Sequence, residues 1–75
     1  MTSQPEEQLV WRALNELAKE NSSWARNVSI YRTWSHDQRL WYIERIKVQA
    51  KHEIPAAVKL ITKVVELRLR GANGI

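Results

Sequence analysis

Seventy-five residues suffice for one small domain, and a chain of that length buries too little surface to hold together easily. It has no cysteine, so neither a disulfide nor a thiolate metal site can help; what remains is a well-made helical core, self-association, or both. Charge is unevenly placed: residues 1–23 hold two basic and four acidic side chains, a net of −2, whereas residues 24–75 hold ten against four, a net of +6. A polyanion would therefore meet the C-terminal part, and the acidic first segment is expected to point away from it.

The opening MTSQPEEQ is polar and acidic, with no basic n-region and no apolar h-region, so a signal peptide is not expected. No apolar run approaches the roughly 18 residues of a membrane span. A cytoplasmic protein follows as the expectation, with residues 1–75 forming one domain and residues 1–4 and 71–75 frayed tails.

The first predicted helix runs from Pro5 to Glu20. Ser3 and Glu6 have capping-box spacing, Pro5 suits a first turn, and Glu6 and Glu7 sit where the helix dipole favours acids. Val10, Leu14 and Leu17 share one face, with Trp11, Ala13 and Ala18 beside it and Arg12, Asn15 and Lys19 opposite. Residues 21–34 carry two patterns. A short helix near 22–33 suits a chain that is otherwise rich in helix formers. That helix is the favoured reading; the β-branched and aromatic run Val28–Trp34, with Val28, Ile30 and Trp34 alternating, leaves a strand over 28–34 as the alternative. A strand would need a mate, from Val65–Arg70 or from a second chain, and a strand followed by two helices has the element order of a ribbon-helix-helix arrangement.

Ser35 and Gln38 form a second capping box, predicting a helix from His36 to His52 with Leu40, Ile43, Ile46 and Ala50 as its main apolar stripe. Trp41 and Val48 form a second strip on the far side, with Arg45 between them. Pro55 is tolerated only in a first turn, so a last helix begins there and is expected to run to Arg70 and stop at Gly71. Its apolar arc spans about 200° at 100° per residue. The predicted core includes Leu14, Leu17, Leu40, Ile43, Ile61 and Val65. The expected fold is an all-α bundle of three or four helices, forming a homodimer through residues 55–70 with Trp41 at the edge.

Catalytic chemistry has little to work with. There is no phosphate-cradling glycine loop, no nucleophile elbow and no cysteine nucleophile, so no enzyme and no cofactor are expected. His36 and His52 lie at opposite ends of one predicted helix, about 24 Å apart at 1.5 Å per residue, too far to share a metal ion. Asp37 and His52 instead complement the two ends of that helix. Glu16 and Glu20 read as a solvated face near Lys19 and Arg12.

Four tryptophans are many for this length. Trp11 and Trp24 are expected in the core; Trp34 beside Arg32, and Trp41 beside Arg45, suit stacking on a base or a partner side chain. Arg68 falls inside the apolar arc of the last helix, where its stem covers apolar surface or its head meets a carboxylate or phosphate across an interface.

Two functions fit these features. The first is a small basic regulatory protein contacting the phosphates of DNA or double-stranded RNA through Arg32, Arg39, Arg45, Lys47, Lys51, Lys59, Lys63 and Arg70. The second is a protein-interaction module, an adaptor or an inhibitor of a larger protein. Its contact surface is Trp41, Val48 and the apolar face of 55–70, with Leu60, Val64, Leu67 and Arg68 at the interface. A basic stripe on one folded face favours the first, and an apolar patch among scattered charges favours the second.

Overall fold

The computed structural model describes residues 6–73 of the backbone, and within them four α-helices: α1 Glu6–Glu20, α2 Ala25–Thr33, α3 His36–Lys51 and α4 Pro55–Asn73. A single 3-10 turn, Ser22–Trp24, precedes α2. The described residues contain no strand, so residues 22–33 are helical, as favoured, and the ribbon-helix-helix order is not realised. The proposed Ser3 cap and Pro5 lie outside the described residues.

Each joint has a local cause. At the end of α1 the Asn21 amide donates to the Leu17 carbonyl at 2.8 Å, while the Asn21 side chain accepts from the Ser23 amide at 3.0 Å and starts the 3-10 turn. Trp34 adopts extended backbone after α2, and Ser35 then opens α3. Both arms of its capping box form: the Gln38 amide donates to Ser35 Oγ at 3.3 Å and the Ser35 amide to Gln38 Oε1 at 3.1 Å.

Between α3 and α4 the Glu53 amide donates to the Ala50 carbonyl at 2.9 Å and the Ile54 amide to the Gln49 carbonyl at 3.1 Å. That bond pair is a Schellman motif, and it puts Glu53 at the left-handed position with φ 59°. A non-glycine residue there is strained. Pro55 then begins α4 as expected. Gly71, in contrast, does not stop the helix; it keeps a negative φ inside α4, which continues to Asn73. Of the residues expected in a frayed tail, 71–73 are helical, and 74 and 75 lie outside the described residues.

Both α1 and α3 lie along α4, and α2 packs across α1. One core results, drawn from all four helices: Leu9, Val10, Ala13, Leu14 and Leu17 of α1, Tyr31 of α2, Ile43 and Ile46 of α3, Ala57, Leu60, Val64 and Leu67 of α4, with Trp24 from the turn. Ile61 is half-buried against it. Leu40 and Val65, expected in the core, are 42 % and 44 % exposed. Leu40 lies on the edge of the buried face of α3, where a rotation of a few tens of degrees carries a side chain from the seam to solvent, whereas Val65 lies on the side of α4 turned away from α1 and α3.

The centre of the α1–α2–α3 junction is Tyr31, only 2 % exposed. Its hydroxyl donates to the Glu7 carbonyl at 3.0 Å, and its ring stacks on Trp11 at 6.1 Å and meets Trp34 and Tyr42 at 6.2 and 5.9 Å. Burial foremost, with the nearby Glu7 carboxylate, pushes the phenol up to about 12. Tyr42 is displaced upward by burial as well.

Candidate functional site

The basic residues nominated for phosphate contact divide into two sets. Arg39, Lys47 and Lys63 are engaged within the chain. Arg39 lies over the Tyr31 ring at 5.1 Å, donates to the Tyr31 and Arg32 carbonyls at 3.1 Å each, and approaches Glu7 at 3.6 Å. It thereby closes the C-terminal end of α2 from α3. His36 Nδ1 also meets Glu7. Lys47 reaches Glu6 at 3.1 Å and Glu44 at 3.4 Å; Lys63 reaches Glu20 at 3.0 Å and Glu66 at 3.5 Å. Hydrogen bonds to Glu6 and to Glu20, respectively, hold both ammonium groups above the usual lysine range. Arg68, the oddity of the last helix, pairs with Glu6 at 3.6 Å.

These pairs reverse one expectation. The acidic first helix does not point away from the basic part of the chain; Glu6, Glu7 and Glu20 face it and neutralise it. Opposite charges held apart in sequence attract across the fold, and each acid ends one of the long-range contacts that seat α1.

Arg32, Arg45, Lys51, Lys59 and Arg70 are exposed, and no ion pair forms at any of them among the described residues. They belong to three helices. Around α3 alone, Arg45 and Lys51 are about 120° apart, so the remaining cations do not form one stripe. Arg32 borders a shallow depression with Glu7, Gln8, Trp11 and Arg39, in which an acid sits beside the bases.

Leu60, Val64 and Leu67, nominated for a partner interface, are 0 %, 6 % and 3 % exposed and belong to the chain's own core, out of a partner's reach. The arc of α4 is wide because α1 and α3 both press on it. Within that arc Val58, Val65 and Leu69 stay exposed, Val65 having been expected in the core.

The outer face of α3 keeps the character expected of it. Trp41 is 63 % exposed and Val48 53 %, and the Arg45 guanidinium lies 5.4 Å from the Trp41 ring centre. With Glu44 and Gln49 they line an open groove of about 360 Å³. Trp24 is buried, Trp11 and Trp34 pack against the core, and Trp41 alone among the four tryptophans is turned outward. Its i, i+4 spacing from Arg45 holds the guanidinium over one ring face and leaves the rest of the indole to solvent.

Tyr31 and Tyr42 were not anticipated as an aromatic hub. The signal lay in the spacing of Trp24, Val28 and Tyr31, a helical i, i+4, i+7 series inside a segment that also alternates like a strand.

Among the described residues no group of three or more His, Asp or Glu side chains is placed to hold a metal ion, and no helix is long and apolar enough to cross a membrane. Compared with known proteins, the chain matches no family model, no curated protein and no solved structure.

Proposed function

We propose that this chain is a non-enzymatic protein-interaction module, with the outer face of α3 as its contact surface. The observation that carries this reading is the exposure of Trp41, 63 %, in a protein that packs its other three tryptophans against its core. A solvated indole beside Val48, ringed by Glu44, Arg45 and Gln49, has the make-up of an interface centre: aromatic and arginine anchors in the middle, polar groups at the rim. The matching partner presents an apolar ridge, such as one face of an amphipathic helix, with a carboxylate placed to meet Arg45.

Duplex binding is the weaker reading because Arg39, Lys47 and Lys63 are tied to Glu7, Glu6 and Glu20. Breaking those pairs to contact phosphates would cost the fold its inter-helix ion pairs.

A photo-crosslinking residue at Val48, in cells of the source organism, tests the proposal alongside titration of labelled DNA and RNA duplexes. The expected result is one crosslinked protein, lost on Trp41→Ala, and no duplex binding at micromolar protein in about 150 mM salt. Duplex affinity falling with salt at a slope near −0.9 per phosphate, lowered by charge reversal at Lys51 or Arg70 but untouched by Trp41→Ala, would establish the nucleic-acid reading instead.

A further inference from the structure

The outward side of α4 carries a second apolar seam, distinct in position and occupant from the α3 face. Val58, Thr62, Val65 and Leu69 are all exposed, with the apolar three at 40 %, 44 % and 58 %. Their spacing of four, three and four residues is the 3.5-residue repeat with which helices pair side by side. At 100° per residue the four fall within about 60° of one another, opposite the arc of Ala57, Leu60, Val64 and Leu67 that packs on α1 and α3.

We infer that this seam is the interface of an antiparallel homodimer, α4 against α4. The occupant follows from charge. Lys59 and Glu66 border the seam on the same flank, seven residues apart. In an antiparallel pair with two-fold symmetry, like flanks face each other and heights reverse, so Lys59 of each chain lies beside the partner's Glu66, twice. The apolar layers match in the same register: Val58 against the partner's Leu69, and Thr62 against the partner's Val65. A parallel pair would turn unlike flanks toward each other, so that Lys59 would not meet the partner's Glu66.

A further feature agrees with that register. Between the end of α1 and the start of α4 runs a groove of about 630 Å³, floored by Leu17, Val58 and Thr62 and bordered by Glu20, Glu53 and Lys59. The antiparallel arrangement brings the partner's Leu69 to its apolar floor and the partner's Arg70 to its glutamates. Arg70 has no ion pair among the described residues of its own chain.

The contact is confined to one helix from each chain, so the dimer is expected to be concentration-dependent. Sedimentation equilibrium from low to high micromolar concentration tests it. Wild type is expected to pass from monomer to dimer, and Val65→Glu to remain monomeric throughout. Lys59→Glu and Glu66→Lys each weaken the dimer, and the two together restore it. Trp41→Ala leaves the dimer intact, which separates this face from α3. Circular dichroism confirms that each variant stays helical, and Leu69→Lys replaces Val65→Glu if the latter unfolds. A monomer at every concentration, a dimer that survives both seam substitutions, or a charge swap that restores nothing overturns the inference.

Discussion

Removing the Tyr31 hydroxyl and removing its whole ring are expected to have very different consequences. Tyr31→Phe keeps the ring among Trp11, Trp34 and Tyr42 and loses one hydrogen bond, to the Glu7 carbonyl. That carbonyl belongs to α1 and keeps its place in the helix ladder, so the cost is that of a single neutral bond, about 1 kcal/mol. Tyr31→Ala empties a site that is 2 % exposed and deprives Arg39 of its aromatic face, at a cost of about 3–5 kcal/mol. A domain of this size has about 4–11 kcal/mol in all, so the alanine variant stands at the edge of unfolding.

The hydroxyl has a second signature. Its folded pKa of about 12 lies above the ordinary value of 10.0, so folding favours the protonated phenol. The associated stability is complete below pH 10 and is lost as pH rises from 10 through 12. At 1.36 kcal/mol per unit the loss is about 2–3 kcal/mol. Lys47 and Lys63, also raised, lose their contributions in the same direction above the lysine range. Urea unfolding followed by tryptophan fluorescence at neutral and alkaline pH measures both effects. Tyr31→Phe should flatten the decline between pH 10 and 12. A phenylalanine variant that declines as steeply as wild type, or an alanine variant costing under 1 kcal/mol, would refute the role given to Tyr31.

Ser35→Ala removes one arm of the capping box and should lower stability by about 1 kcal/mol, measured by the same urea titration. Glu53→Gly relieves the left-handed strain after α3 and should raise stability by about 1 kcal/mol; a fall would mean that the Glu53 side chain contributes more than its backbone costs. Leu60→Ala should cost about 3–5 kcal/mol and Leu40→Ala about 1 kcal/mol, because one is fully buried and the other is 42 % exposed; thermal melts of the pair distinguish them directly.

The parts of the fold legible in the sequence are those governed by local chemistry. Ser35 with Gln38, and Pro55, mark helix ends through bonds and sterics that involve only their neighbours. The strip Trp41–Arg45–Val48 was legible for a similar reason, since its members sit on one helix with spacing that places them together wherever that helix lies. Residues 22–34 were legible only as a preference for helix, because β-branched side chains allow both states. Burial of Trp24, Val28 and Tyr31 against α1 and α3 favours the helix, and that contact is tertiary. Leu40 and Val65 were misplaced for want of a rotation angle, which only the neighbouring helices supply. Gly71 looked like a stop, but a glycine need not leave the helix; the left-handed residue is Glu53, a type that gives no warning of it. Charge signs were visible while their pairing was not, since Glu6 meets Lys47 across 41 positions and Glu20 meets Lys63 across 43.

Glu6 opens α1 and Arg68 lies near the end of α4, yet their side chains are 3.6 Å apart. Topologically the four helices form a nearly closed ring, fastened at that point by an ionic link rather than a peptide bond. Where such a ring is cut matters little to its packing. A flexible tether across the Glu6–Arg68 gap, with new ends opened at the exposed Asn21–Ser22–Ser23 joint, would give a circular permutant that retains every residue of the core. The same closeness suits insertion into a surface loop of another protein, with Glu6 and Arg68 as the two junctions.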